Sequence, residues 1–324
     1  QLKDIKMSKL QLKDIKMSTK TFTANLSKLQ LKEFKDIKVS TKTFTATTNI
    51  DIDLCKLYDY LEIVEYIVIP KKRGRRKKVP VLDLNKDIKY GSFISVEFKD
   101  KLKGANLKKK KKKKWFRNSF TIIVMLDKKI NFKICKNGTF QMTGCKNNQH
   151  AIECIKQIWK RIKSNKDIYK FTNKEDTTLK SMLIPAMRNI DFSLGFLIDR
   201  EKLAKYMSTQ SKFYCLLETS FGYTGVNIKI PLKDKISDMK IFLISEINNE
   251  FTVEQSKYSE YLKTISEKQR NNKLNMKKYN TFLVFHSGKV IMSGSTFEFM
   301  EQTYYDFINT INNSYEKIKE TLDT

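Results

Sequence analysis

His150 and His286 are the only histidines in this sequence, and neither has a plausible metal or nucleophile partner nearby. Cys55, Cys135, Cys145, Cys154 and Cys215 are odd in number and show no Cys-x-x-Cys spacing. Neither a zinc site nor a disulfide framework is therefore expected, and a reducing compartment is their natural home. No phosphate-cradling Walker loop, Gly-x-Ser-x-Gly elbow or His-Glu-x-x-His pair occurs. Covalent and metal chemistry have no constellation to work from, so the expectation is no enzyme and no cofactor. What remains is the chemistry of charge. The chain holds 64 Lys+Arg against 35 Asp+Glu, a net +29, and so large a self-repulsion points to a polyanionic partner, either nucleic acid or an anionic membrane.

The basic residues are bunched. KKRGRRKK occupies 71–78 and seven consecutive lysines occupy 108–114. Such runs suit phosphate contact or a nuclear-localisation signal, and equally a solvated loop. Arg73-Gly74-Arg75 has the form of a minor-groove hook without the following Pro. Richness in Lys, Ile and Asn also fits an AT-rich genome, which accounts for part of the basicity. At 324 residues, 40% hydrophobic and 11% aromatic, the chain can bury a real core. No apolar run reaches the length of a membrane span and no cleavable signal is visible, so no membrane partner is expected. The first residue is Gln rather than Met, so further residues are expected to precede it.

The elements that must position these charges are repeated. NFKICKNGTFQMTG at 131–144 returns as TFLVFHSGKVIMSG at 281–294. Phe132 matches Phe282, Gly138 matches Gly288, Met142 matches Met292 and Gly144 matches Gly294. Each copy has the pattern of a strand, a tight Asn-Gly or Ser-Gly turn and a second strand, followed by a helix. A second repetition lies at the N-terminus. QLKDIKMS occurs at 1–8 and 11–18, and KDIKMSTKTFTA at 13–24 returns as KDIKVSTKTFTA at 35–46. The later copy leads into the folded chain, and the earlier ones read as a duplicated tail over 1–34.

The first repeat is expected over 35–165, with a basic insertion at about 69–114. STKTFTATTNI reads as a strand, IDLCKLYDYLEIVEYI as a helix and GSFISVEF (91–98) as a strand. SFTIIVML, INFKI and TFQMTG then form a three-strand run. The helix NNQHAIECIKQIWKRI follows, with Ile152, Ile155, Trp159 and Ile162 on one face. After a polar linker at 163–182, the second repeat is expected over 180–324. MRNIDFSLGFLI is a strand, DREKLAKYM a helix capped by Asp199, and GYTGVNIKIPL a strand. A helical insertion is expected at about 236–275. The last helix turns Met300, Tyr304, Phe307, Ile311 and Tyr315 inward. Each half runs strand, helix, three strands, helix, which makes the fold class α+β with two pseudo-equivalent units.

Strand alternation separates two faces of each hairpin. Phe132, Ile134, Phe140 and Met142 share one face, as do Phe282, Val284, Val290 and Met292, and the helices must cover it. The opposite face carries Lys133, Cys135, Gln141 and Thr143 in the first copy, but Leu283, Phe285, Ile291 and Ser293 in the second. An apolar sheet face left open on a basic protein wants a partner, unless the insertion at 236–275 supplies a covering layer.

At this point the residues resemble a family. FLVF before SGKVIMSG, and FKI before NGTFQMTG, look like the tandem signature of the TATA-box-binding protein family. The resemblance covers roughly 36–165 and 180–324. It implies a curved antiparallel β-sheet saddle of two pseudo-symmetric repeats with helices on the convex face, whose concave face takes the minor groove of AT-rich double-stranded DNA. It further implies that Asn189 in PAMRNI reads base edges, that Phe285 is an intercalating wedge, and that Tyr223 replaces a second wedge. Lys229 stands where the family has a phosphate-binding Arg, and Lys289 matches the Lys after the hairpin Gly. Leu283, Ile291 and Ser293 fall on groove-facing positions, and Thr143 is their counterpart in the first half. There Phe120 can supply one wedge while Cys135 occupies the other wedge position. Asp36 or Thr41 stands nearest the first-strand Asn. Lys133 and Gln141 on this face depart from an apolar groove contact.

The function so implied is transcription initiation by a divergent member of a giant virus or protist. General transcription factors or RNA polymerase subunits would dock on the convex face. The expected location is the nucleus or a cytoplasmic viral factory. The alternative is a structural or DNA-packaging protein of virion or chromatin that keeps the saddle without promoter specificity.

Overall fold

The computed structural model describes residues 32–68, 85–107, 118–210, 212–217, 225–233 and 236–321. The basic run at 71–78, the lysines at 108–114, Tyr223 and the tail copies before residue 32 lie outside them. In the first half a short 3-10 turn (Phe34–Asp36) leads into β1 (Val39–Thr48), β2 (Ile50–Ile52), α1 (Leu54–Tyr60), β3 (Ser92–Phe98) and β4 (Lys101–Gly104). β5 (Ser119–Met125), β6 (Lys129–Cys135), β7 (Thr139–Cys145) and α2 (Asn148–Ile162) complete it. β8 (Tyr169–Phe171) and β9 (Lys180–Ser193) follow. The second half continues with α3 (Arg200–Ser208), β10 (Tyr214–Leu217), β11 (Gly225–Pro231), β12 (Lys240–Ile247) and β13 (Glu250–Lys257). It ends with α4 (Tyr258–Thr264), α5 (Glu267–Asn275), β14 (Tyr279–Phe285), β15 (Lys289–Gly294) and α6 (Phe297–Ile318).

The chain forms two compact units. One comprises Thr41–Ala186 with Lys235–Leu274, the other the segment up to Ser40 with Met187–Asp234 and Asn275–Thr324. In the first unit the strands lie in the order β3-β5-β6-β7-β1, and in the second in the order β10-β11-β14-β15-β9. The described pairings within these runs are antiparallel. The fold class is α+β, as expected, and the two units share one strand order.

The correspondence reaches single hydrogen bonds. Asp53 caps α1 by accepting from the Cys55 and Lys56 amides, and Asp199 caps α3 by accepting from the Lys202 amide at 3.0 Å. The Ile52 amide donates to the Lys136 carbonyl at 2.8 Å, and the Ile198 amide to the His286 carbonyl at 2.8 Å. Thr48 N–H meets the Gly138 carbonyl and Leu194 N–H the Gly288 carbonyl. In both units the first strand and the helix after it are thus tied to the same turn of the hairpin.

The helix-covered faces are those alternation selects. Phe132, Ile134, Phe140 and Met142 share a core with Ile155, Ile158, Trp159 and Ile162 of α2. Phe282, Val284, Val290 and Met292 share one with Met300, Tyr304, Phe307 and Ile311 of α6. Phe282 stacks on Phe307 with ring centroids 4.0 Å apart. Tyr304 is fully buried, its hydroxyl donating to the Lys32 carbonyl at 2.9 Å, and burial pushes its pKa upward. Tyr315, expected to face the core, is half-buried and packs edge-on against Phe196.

Two expectations need correction. The helix expected to run to Ile67 ends at Tyr60. Leu61 is already extended at φ −69°, ψ 124°, and the Val64 amide is bonded to the Phe93 carbonyl. The insertion expected to be helical at 236–275 begins instead as the hairpin β12–β13. Its two-residue turn places Asn248 at φ 50° and Asn249 at φ 67°, the left-handed pair a tight hairpin demands. β12 then pairs with the start of β9, Phe242 opposite Leu183, so the insertion packs with the first repeat, and helices occupy only its second part, α4 and α5.

Glu246 fastens this hairpin. It is 6% exposed, accepts from the Trp159 indole N–H, and lies 3.1 Å from Lys163 Nζ. Glu246→Ala should lower stability by about 1–3 kcal/mol, because it strands a buried indole donor. The loss should appear as faster amide exchange in 240–257 before the rest of the chain; exchange there as slow as in the parent protein would show that Glu246 does not anchor the hairpin.

Candidate nucleic-acid interface

The face of the second unit turned away from α6 is built by cross-strand register. Asn189 of β9 lies opposite Ser293 of β15, which lies opposite Thr281 of β14, then Lys229 of β11 and Tyr214 of β10. A parallel row runs Asp191, Ile291, Leu283, Asn227 and Leu216. Beyond it Phe285 faces Gly225, and Lys289 faces Ser193. Because Gly225 has no side chain, nothing from its position flanks the Phe285 ring. Leu283, Phe285, Ile291 and Ser293 are all half-exposed, and Lys229 and Lys289 are exposed. Tyr214 and Leu216 are 57% and 53% exposed. Among the described residues of this unit, no strand or helix covers the apolar row.

An open depression of about 920 Å³ lies at the Phe285 end, lined in part by Asp191, Ser193, His286, Lys289 and Ile291. His286 sits 2.8 Å from Glu320 and His150 sits 2.8 Å from Asp127, so each histidine has a single carboxylate neighbour. Among the described residues no group of three His, Cys, Asp or Glu could hold a metal. Burial raises the Cys145 thiol to about 12 and the Cys215 thiol to about 11, and it pushes Cys135 and Cys154 upward too. Those thiols are protonated near neutral pH and poor nucleophiles.

The Oδ1 atoms of Asn131, Asn189 and Asn227 are buried without a hydrogen-bond partner. Asn189 and Asn227 belong to the rows above, and Asn131 to the corresponding face of the first unit, opposite Thr143. In the second unit two such oxygens, of Asn189 and Asn227, lie on the same face of the sheet, and a buried polar atom left unpaired is uncommon in a folded protein.

In the first unit the same face is polar. Its rows are Thr43, Thr143, Asn131 and Ile123, then Thr45, Gln141, Lys133 and Thr121. Thr143 stands where Ser293 stands in the second unit. Phe120 does not reach this face. It is 0% exposed, opposite Ile134 in register, with its ring 5.9 Å from Phe98 and 6.2 Å from Tyr58. Alternation puts Ser119, Thr121 and Ile123 outward, so Phe120 is a core residue and no wedge. Cys135 is half-exposed opposite Ser119.

The counterpart of Asn189 is neither Asp36 nor Thr41. Asp36 ends the 3-10 turn, and a register shift between Lys42 and Thr43 moves the pairing along, so Thr43 faces Thr143 as Asn189 faces Ser293. Asp191, Asn227, Tyr214 and Leu216 were missed in the sequence. Asp191 follows from counting two residues beyond Asn189; the others require the strand order.

No family model matches the chain. It is 26% identical over 243 residues to an uncharacterized protein of Invertebrate iridescent virus 6, covering 72% of this chain and 70% of the relative. It is 30% identical over 203 residues to a TATA-box-binding protein-like protein of Acanthamoeba polyphaga mimivirus. That match covers 53% of this chain, which spans only 55% of that relative's length. Among solved structures, Methanococcus jannaschii TBP matches at a TM-score of 0.42 and 14% identity, over 86% of this chain and 98% of that one. The similarity to a viral TATA-box-binding protein-like chain bears out the resemblance drawn from the tandem hairpins.

Proposed function

We propose that this TATA-box-binding-protein-like chain binds double-stranded DNA in the minor groove through the exposed face of its second repeat, and that it serves transcription initiation. One observation carries the reading: the apolar row Leu283–Ile291 with Phe285 lies open between Lys229, Lys289 and Asn189, on the face opposite α6. The minor groove offers few distinguishing hydrogen-bond groups, so a sheet reads it by width, apolar contact and deformability. Phe285 is the side chain placed to wedge a pliable base step, while the lysines neutralise phosphates. AT-rich, bendable DNA is the substrate this favours. The helix-covered side remains for transcription factors or polymerase subunits, in the nucleus or a viral factory.

A second reading rests on the first repeat. Lys133, Gln141 and Thr45 make its face polar, and Asp191 interrupts the apolar row of the second. With a net +29, these features favour binding without promoter choice, as in a packaging protein of virion or chromatin.

Affinity for an AT-rich bendable duplex and for a GC-rich duplex of equal length, measured across salt, separates the two. Initiation predicts binding to the AT-rich duplex tighter by roughly 10³-fold or more, the low end of ordinary specificity ratios. Lys289→Ala should weaken both alike and reduce the salt slope by about 1. Equal affinities with a steep salt slope would support packaging, and no binding to either would remove both readings.

A further inference from the structure

One side chain on the open face of the second unit is out of keeping with its neighbours. On β9 the outward residues are Asn189, Asp191 and Ser193, while Ile190 is fully buried and Phe192 packs against the core. Asp191 is exposed and lies opposite Ile291, which lies opposite Leu283. A carboxylate therefore heads the apolar row, and Asn227 stands beyond Leu283 on its other side. Asp191, Phe285 and Lys289 line the same depression.

A carboxylate is a costly choice on a surface that must approach DNA. It repels phosphates and takes the place of an apolar contact. A carboxylate accepts hydrogen bonds and, ionised, donates none. In the minor groove A·T and T·A pairs present only acceptors, adenine N3 and thymine O2, so against either pair Asp191 finds no partner. A G·C pair adds one donor, the exocyclic amino group of guanine. That group is the one feature of the groove floor an acceptor-only side chain can bond. Asn227 differs, because its amide both donates and accepts and so can meet either kind of pair.

We propose that Asp191 is a specificity-determining residue, selecting a G·C pair at one step of an otherwise AT-rich site by accepting a hydrogen bond from the guanine amino group. This rests on the minor-groove reading above and narrows its substrate to AT-rich DNA broken by one guanine. Because Asp191 and Phe285 share the depression, the selected pair lies next to the step that Phe285 wedges. Thr45 holds the matching place in the first unit, opposite Gln141 as Asp191 is opposite Ile291. Its hydroxyl donates as well as accepts, so the demand for guanine comes from the second unit alone.

The test measures binding of the full chain, at fixed salt, to AT-rich duplexes in which one G·C pair is moved stepwise through the site. Two modified pairs isolate the amino group: inosine·C lacks it, and diaminopurine·T adds it to an A·T pair. At one position G·C and diaminopurine·T should bind tighter than A·T and inosine·C by at least ~5-fold, the low end of what one mismatched pair costs. Asp191→Val completes the apolar row and should lose that preference while binding the all-A·T duplex at least as tightly as the parent. Asp191→Asn, of nearly the same shape, should lose most of the preference too, since its amide can also meet an acceptor. The parent-protein arm needs no variant to fold. A flat response across the walk, a preference that inosine retains, or one that survives in Asp191→Val would overturn the proposal and leave groove binding standing. No binding to any of the duplexes would overturn the minor-groove reading itself, and the proposal with it.

Discussion

Replacing Gly288 by valine is expected to lower the unfolding free energy by about 2–6 kcal/mol, the sum of a strained backbone and an overfilled site. Gly288 sits at φ +73° in the turn between β14 and β15, and its amide closes that turn on the Phe285 carbonyl at 2.9 Å. A β-branched residue is strongly disfavoured at such a dihedral. Space is lacking as well, because an added Cβ would collide with the Phe196 carbonyl oxygen. That carbonyl cannot retreat cheaply. Its segment is pinned on both sides, by the Leu194 amide on the Gly288 carbonyl and the Ile198 amide on the His286 carbonyl, each at 2.8 Å. Gly138 is in the same position at φ +64°, against the Ile50 carbonyl, and its valine should cost a similar amount. Gly195→Ala is the control. It has φ +85° with nothing near its Cβ, so it should lose only the roughly 1–2 kcal/mol of left-handed strain. Urea denaturation of the three variants would decide the matter. Equal losses at Gly195 and Gly288 would mean that the turn does not clamp the first strand of its repeat.

The same turns explain why the duplicated hairpins were legible in the sequence. A Gly at positive φ between two alternating runs is a strong hairpin mark, and the chain carries it at Gly138 and Gly288. The core faces followed from alternation alone. What sequence reading lost was lost at offsets. Phe120 belongs to a strand whose phase is set by pairing with β6, and a one-residue error moves it from core to groove face. Thr43 rather than Asp36 or Thr41 takes the position matching Asn189 because of the irregularity after Lys42, which no local pattern announces. The inserted hairpin was expected to be helix; its first strand offers only the four-residue apolar run Ile241–Ile244, too short to fix a period. Its Asn248-Asn249 turn was the overlooked signal. The apolar row of the interface shows a different limit. Leu283, Phe285 and Ile291 can be read from one hairpin, but Leu216 and Asn227 join them only through the order β10-β11-β14.

Phe282 and Phe285 stand three residues apart on β14, and their alanine variants should fail in different ways. Phe282 is fully buried, opposite both Met292 and Ile228, and stacked within 11° of parallel on Phe307. Its truncation removes core volume that α6 cannot refill, so Phe282→Ala should cost about 3–5 kcal/mol of stability. Phe285 points the other way, half-exposed beside the side-chain-free position of Gly225. Phe285→Ala should leave stability within about 1 kcal/mol of the parent protein, as substitutions away from the core usually do. Its effect should appear on DNA instead. If the ring wedges a base step, losing it removes a contact worth about 1–3 kcal/mol, by analogy with base–aromatic stacking. The bend angle and the preference for AT-rich duplexes should then fall together, since a step that is no longer opened gives no advantage to the sequences that open easily. Denaturation curves and duplex-bending measurements on both variants are sufficient. If Phe285→Ala unfolds the chain and Phe282→Ala spares it, the two faces of β14 are reversed. If both unfold it, the Phe285 side is covered in solution and cannot meet DNA. If Phe285→Ala alters neither folding nor binding, DNA is held elsewhere on this basic chain and the open row serves another partner.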